Sequence, residues 1–200
     1  MEEERIRFPS EKLDLEGLYG AHGITGAVAI THPHPLYGGD MYSPVVEAIE
    51  SAYRQGGFTT LRFNFRGTGA STGRHDQGVG EQADVIAATD YLRTSGLSSI
   101  HLSGYSFGAW VNAMTLQNNL AVDGLTMVAP PVAFIEFSAD IRLPCLSTVV
   151  AGSRDEFAPP GLIRPHLASW NRNACLDIIE GADHFFFGHL DAVARRLRPS

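Results

Sequence analysis

Apolar residues repeat along this chain with two different periods, and each period predicts a different kind of element. The opening segment Arg5-Ile6-Arg7-Phe8, resumed as Leu13-Asp14-Leu15-Glu16-Gly17-Leu18-Tyr19, alternates polar with apolar. A period of two turns one side chain to water and the next to a core, so this stretch predicts a half-buried hairpin. After it come short, unbroken apolar runs at Gly26–Thr31, Thr59–Asn64, Ser99–Ser103, Gly124–Val128, Leu146–Ala151 and Cys175–Ile179. Runs of this kind suit strands covered on both faces. Between them the spacing becomes helical. Pro44–Gln55 sets Val45, Val46, Ile49, Ala52 and Tyr53 on one side, and Glu81–Leu92 sets out Val85, Ala88, Tyr91 and Leu92 with Gly96 as its stop. Further helices are expected at Phe107–Asn118, Pro160–Ser169 and Phe187–Leu197. Strand and helix in alternation predict an α/β architecture, a mostly parallel twisted sheet with helices on both faces. Ligands of such sheets bind at the carboxyl ends of the strands, so chemistry is to be sought just after each one.

Composition narrows the class without changing that picture. At 200 residues, with no internal repeat and no linker-like tract, residues 1–200 are expected to form a single domain. Apolar residues make up 44% and charged residues 18%, which fits neither a disordered chain nor a coiled coil. Runs such as Ala27-Val28-Ala29-Ile30 are far shorter than the roughly 18 residues of a membrane span. The start, Met1-Glu2-Glu3-Glu4-Arg5, is acidic where a signal peptide is basic, so a cytoplasmic setting is expected. A net charge of −7 argues against nucleic acid as a partner. Lys12 is the only lysine, and it precedes every candidate element of an active site, which excludes a Gly-Lys-Ser/Thr phosphate loop and a lysine Schiff base. Cys145 and Cys175 are far apart in sequence and are expected to be small core residues. Oligomeric state is not set by the sequence.

One motif carries chemistry. Ile100-His101-Leu102-Ser103 is followed by Gly104-Tyr105-Ser106-Phe107-Gly108 and then a helical pattern. Gly-x-Ser-x-Gly between strand and helix marks a sharp turn that holds the serine strained and exposed at a helix N-terminus, with glycines letting neighbouring elements close in. A serine hydroxyl needs a base, and the base needs an acid to orient it. His184, in Gly181-Ala182-Asp183-His184-Phe185, follows a strand and is the expected base, whereas His189 is assigned to the last helix. Asp155, just after Val149-Val150-Ala151-Gly152-Ser153-Arg154, is the expected acid; Asp183 is adjacent to His184 and Asp140 precedes its strand. The oxyanion calls for two donors. The Phe107 N–H is expected to be one, and the Leu36 N–H, from His32-Pro33-His34-Pro35-Leu36-Tyr37-Gly38-Gly39, the other. His32 and His34 are expected to brace that loop. The rival reading of His32-x-His34 as a metal pair leaves the serine elbow unexplained. Gly67-Thr68-Gly69-Ala70-Ser71-Thr72-Gly73 is off register for a dinucleotide-binding loop and is expected to be a tight turn, with Arg66 in a buried ion pair or loop anchor.

Together these segments, with Leu61-Arg62-Phe63-Asn64-Phe65-Arg66-Gly67 and Val128-Ala129-Pro130-Pro131-Val132, resemble the alpha/beta-hydrolase superfamily over nearly the whole chain. The nearest resemblance is to a small, capless bacterial group of serine hydrolases distantly similar to dienelactone hydrolases, although position 106 is serine where those enzymes carry cysteine. The resemblance implies an esterase-like activity and says little of the substrate. Ala129–Cys145 has room for one small helix around Ala133–Ser138 and none for a helical cap, so an open site is expected. Tyr37, Met41, Phe134, Phe157 and Phe185 are the candidate substrate-binding residues, while at least half of a wider set that adds Phe107, Phe137, Phe186 and Phe187 should fill the core. The expected reaction is hydrolysis of small soluble esters, with no metal and no cofactor, rising with pH as His184 loses its proton. Amide or thioester cleavage and acyl transfer share the same intermediate, and a non-catalytic binding module is the reading from another class.

Overall fold

The N-terminal alternation resolves into a hairpin. Strands β1 (Glu4–Ser10) and β2 (Leu13–Gly20) pair antiparallel with Phe8 opposite Leu15, and both of these side chains are buried. The computed structural model describes residues 3–23, 26–118, 120–138 and 140–197. Within them the apolar runs become β3 (Gly26–Thr31), β4 (Phe58–Phe63), β5 (Ile100–Tyr105), β6 (Gly124–Val128), β7 (Leu146–Gly152) and β8 (Cys175–Ile179). The helices are α1 (Pro44–Gln55), α2 (Gly80–Thr94), α3 (Phe107–Gln117), α4 (Pro160–Trp170) and α5 (Leu190–Arg196). Every residue of β3, β4 and β6 is buried, the pattern of strands covered on both faces.

The sheet runs β1-β2-β4-β3-β5-β6-β7-β8, and β3 to β8 are parallel along it. Its order contains a reversal. From β3 the chain crosses through α1 to β4 on one side, then returns through α2 to β5 on the other side of β3. Crossovers of one hand running in opposite directions put α1 and α2 on opposite faces. There α1 packs with α5, and α2 with α3. The chain leaving β3 and the chain leaving β5 therefore turn to opposite faces at the carboxyl edge of the sheet, where ligands of such sheets bind.

Local chemistry explains the element boundaries. Helix α1 begins at Pro44, whose fixed φ suits a first helical position, and buries Val45, Val46, Ile49, Ala52 and Tyr53. At the start of α2 the buried Glu81 carboxylate reaches back to accept the N–H groups of Asp76 and Gly78 at 2.8 Å each, fixing the turn that leads into the helix. Two expected helices differ. The last one starts at Leu190, with His189 as its N-cap, because Phe186 (φ 54°) and Gly188 (φ 76°) keep the preceding residues in a turn. The stretch at Ala133–Ser138 forms no helix, only a turn at its start with the Ala133 N–H bonded to the Phe157 carbonyl, and the described residues between β6 and β7 carry no cap. Cys145 is half-buried against the core, but Cys175 is exposed at the end of the edge strand β8, so it is not the core residue expected. Arg66 is the anchor expected of it: its guanidinium meets the buried Asp84 carboxylate at 2.8 Å, and Asp84 also accepts Ser10 Oγ.

Candidate active site

Ser106 sits between β5 and α3 with φ 54° and ψ −118°, a conformation that a non-glycine residue adopts only under compulsion. Its neighbours supply the compulsion. A β-carbon on Gly104 would lie 2.6 Å from the Ala109 nitrogen, and one on Gly108 would lie 2.6 Å from Thr31 Oγ1 and 2.7 Å from the His32 carbonyl oxygen. Both glycines are thus required for strand, helix and the β3 loop to meet. The Ser106 N–H is tied to the Val128 carbonyl at the end of β6. Oγ is thereby held at the N-terminus of α3, where the helix dipole favours developing negative charge.

The strand ends of β7 and β8 bring the two distant partners to this point. His184 Nε2 lies 3.0 Å from Ser106 Oγ, and His184 Nδ1 lies 2.9 Å from Asp155 Oδ2. Asp155 Oδ1 also accepts the N–H groups of Phe157 and Ala158, at 2.9 and 2.8 Å, so the carboxylate is fixed in its plane. An ionised carboxylate only accepts, so Nδ1 carries the hydrogen and Nε2 turns its lone pair to the serine. All three side chains are buried: 8% of Ser106, 6% of His184 and 4% of Asp155 is exposed. Tyr105, inside the serine motif yet not singled out by it, donates its hydroxyl to the His184 carbonyl at 3.0 Å. Burial and the neighbouring carboxylates of Asp155 and Asp183 push the Tyr105 hydroxyl well up, so it stays a donor.

The loop after β3 is braced as expected. His32 accepts the Phe65 N–H at Nε2 (3.0 Å) and has Nδ1 2.7 Å from the Pro33 carbonyl. Complete burial pushes this imidazole down to about 4. Both of its nitrogens are spoken for, and among the described residues no group of three His, Cys, Asp or Glu could hold a metal ion. The Leu36 N–H, expected to await an oxyanion, is engaged by His34 Nδ1 at 3.2 Å at the head of a 3-10 turn over Pro35–Tyr37. The Phe107 N–H has no acceptor among the described residues. His75, which no sequence signal marked, packs its ring at a tilt against those of His34 and Phe107, with centroids 4.8 and 5.6 Å away. Burial and the facing His75 push His34 down. Beside this loop a cleft of about 420 Å³ opens between residues 35–40 and 67–75.

The candidate substrate residues divide sharply. Tyr37, Phe134, Phe157 and Phe185 are exposed at the rim, by 88, 68, 37 and 52%. Met41 is the exception and is corrected here. It is 1% exposed, its N–H bonded to Asn64 Oδ1 and its carbonyl to Arg62 Nη1, and it offers no face to a ligand. Asn64 makes this link from the loop beyond β4, while its Nδ2 donates to Glu16. Phe107, Phe137 and Phe186 are buried, as expected of part of the wider set, and Phe187 is exposed.

Comparison with known proteins agrees with this geometry. Residues 21–162 match the model of the alpha/beta hydrolase fold family. An uncharacterized protein of Rickettsia prowazekii, RP471, is 32% identical over 194 residues, covering 91% of this chain and 82% of its own. The structure of an alpha-beta serine hydrolase homologue from Coxiella burnetii superposes with a TM-score of 0.90 at 33% identity, covering 99% of this chain and 97% of that one. XC6422 from Xanthomonas campestris, described as an a/b serine hydrolase without lid, gives 0.89 at 28% identity, over 99% and 93%. With its sheet order, serine elbow and absence of a cap among the described residues, this chain belongs to the alpha/beta-hydrolase family.

Proposed function

We propose that this protein is a carboxylesterase of small soluble esters, working through Ser106, His184 and Asp155. The carrying observation is the unbroken chain of hydrogen bonds from the strained Ser106 Oγ through the imidazole to a carboxylate, at 3.0 and 2.9 Å. Ser106 Oγ attacks the ester carbonyl while His184 Nε2 takes its proton, and Asp155 holds the tautomer and stabilises the imidazolium. The Phe107 N–H faces the oxyanion as one donor. The Leu36 N–H becomes the second because a charged oxygen outcompetes the neutral His34 nitrogen that holds it at rest. His184 then gives its proton to the leaving alcohol as the C–O bond breaks. Water, deprotonated by the same imidazole, attacks the acyl-enzyme; the acid departs and Ser106 regains its hydrogen.

The open rim supports small, freely diffusing substrates, with no lid among the described residues to displace. The two cysteines, free in the structure, fit a cytoplasmic setting. Hydrolysis of short p-nitrophenyl esters tests the reading. Ser106→Ala is expected to lower kcat by at least about a thousandfold. A variant turning over at the wild-type rate would remove the mechanism.

A further inference from the structure

We propose that the phenylalanines around His184 form a site for the alcohol half of the ester, selective for a neutral aromatic leaving group; this rests on the esterase reading above. Two rings touch the imidazole and two more pack on them. The Phe157 ring packs on His184 with centroids 4.6 Å apart and planes at 32°, and Phe134 stacks on Phe157 at 4.6 Å and 27°. Phe185 meets the imidazole edge-on at 5.6 Å, and Phe187 stacks on Phe185 at 5.8 Å and 27°. Phenylalanine is a core residue by preference, yet Phe134 and Phe187 are 68 and 73% exposed. The backbone beneath the rings is fixed. The Phe157 N–H bonds to Asp155, its carbonyl accepts the Ala133 N–H, and the Phe185 N–H bonds to Asp183 Oδ1.

The chemistry decides which half of the ester these rings meet. When the tetrahedral intermediate collapses, the bond between carbonyl carbon and leaving oxygen breaks, and His184 Nε2 delivers to that oxygen the proton it took from Ser106. The oxygen must then lie roughly 3 Å from Nε2. Its substituent is carried to the imidazole's side of the site, against Phe157 and Phe185, while the acyl group extends away from the imidazole. The two ring pairs, each with planes 27° apart, suit a flat guest that stacks in an offset manner. The exposed Asp183 beside Phe185 repels an anionic alcohol and tolerates a neutral one.

Benzyl acetate and cyclohexylmethyl acetate, whose alcohols are close in size and acidity, provide the test. The wild-type protein is expected to favour the benzyl ester in kcat/KM. Phe134→Leu, which keeps apolar bulk without a ring face, should lower the benzyl-to-cyclohexylmethyl ratio about two- to tenfold, and Phe134→Tyr should retain it. In parallel, benzyl alcohol added to Ser106→Ala should shift the amide resonances of Phe157 and Phe185, with cyclohexylmethanol far less effective. Hydrolysis of both esters at a ratio unchanged by Phe134→Leu overturns the aromatic site and leaves the esterase reading standing. No hydrolysis of either, with the benzyl alcohol shifts present, overturns the esterase reading and supports the aromatic site. Neither hydrolysis nor shifts overturns both.

Discussion

The interior of the candidate site and its rim are built on opposite terms. Inside, Ser106, His184 and Asp155 are nearly sealed from solvent, and their side chains are joined to one another by hydrogen bonds of about 3 Å. At the rim, Tyr37, Phe134, Phe185 and Phe187 stand more than half exposed, held by ring contacts. Burial strengthens electrostatic interactions and makes any misplaced polar group costly, so the interior tolerates little change. Ring stacking on an open surface is worth far less per contact, and it can vary without disturbing the proton path. Under the proposed esterase reading, the contrast assigns rate to the interior and choice of substrate to the rim.

The largest expected effect lies in the interior. Asp155→Asn keeps the shape but lets Nδ1 lose its hydrogen, turning the wrong tautomer toward Ser106; kcat should fall roughly 10⁴-fold. A fall of less than tenfold in steady-state ester hydrolysis would show that the carboxylate does not set the tautomer.

Next comes the packing that strains the serine. Gly108→Ala puts a β-carbon against Thr31 Oγ1 and the His32 carbonyl, neither of which can withdraw without disturbing β3. A loss of about 3 kcal/mol in urea unfolding is expected, together with loss of activity. Full activity at unchanged stability would mean that the elbow does not depend on this close approach.

The pattern of apolar runs placed β3, β6 and α1 to the residue, since those elements bury whole strands or one clean helical stripe; it placed β8 as well, but as an edge strand β8 buries only Ile179 and is not covered on both faces. The serine, histidine and aspartate were equally legible, each standing just past a strand. What eluded the sequence was set by contacts between distant segments or by a single local bond. Met41 is buried because Asn64 captures its amide from another loop. The Leu36 N–H is occupied because an imidazole two residues earlier reaches back to it. No periodicity records either event. The last helix was drawn too long because positive φ at Phe186, which delays its start, leaves no mark on apolar spacing.

An effect of similar full size, spread over a range of pH, comes next. His32 is wholly buried, with its imidazole pushed from 6.5 down to about 4. An unfolded chain takes up a proton there below about 6.5 and the folded one only below about 4, so U binds the more protons within that window. The stability this ring contributes is complete above 6.5 and is lost as pH falls toward 4, by about 3 kcal/mol in full. His22, His34, His101 and His166 are also pushed down by burial and add to the same slope, while Glu50, pushed up by burial, opposes it. Urea midpoints between pH 4 and 6.5 should therefore rise with pH, and less steeply in His32→Gln. An unaltered slope in that variant would remove His32 from the account.

The smallest effect belongs to the rim. Phe187→Ala removes a side chain 73% exposed and should change unfolding stability by no more than about 0.5 kcal/mol. A loss well above that, measured by urea denaturation, would make the rim part of the core's support and erase the division drawn above.

The loops after β7 and β8 are stitched into one piece. The Arg154 N–H bonds to the Ala182 carbonyl, the Gly181 N–H to Ser153 Oγ and the Ser153 N–H to Ile179, and Gly152 lies so close to Ala182 that a β-carbon would come within 2.3 Å of its carbonyl oxygen. Ser106 rides on a different pair of elements, β5 and α3. Aspartate and histidine are thus carried on one arm, and the Tyr105 hydroxyl on the His184 carbonyl is the pin that joins that arm to the strand bearing the serine.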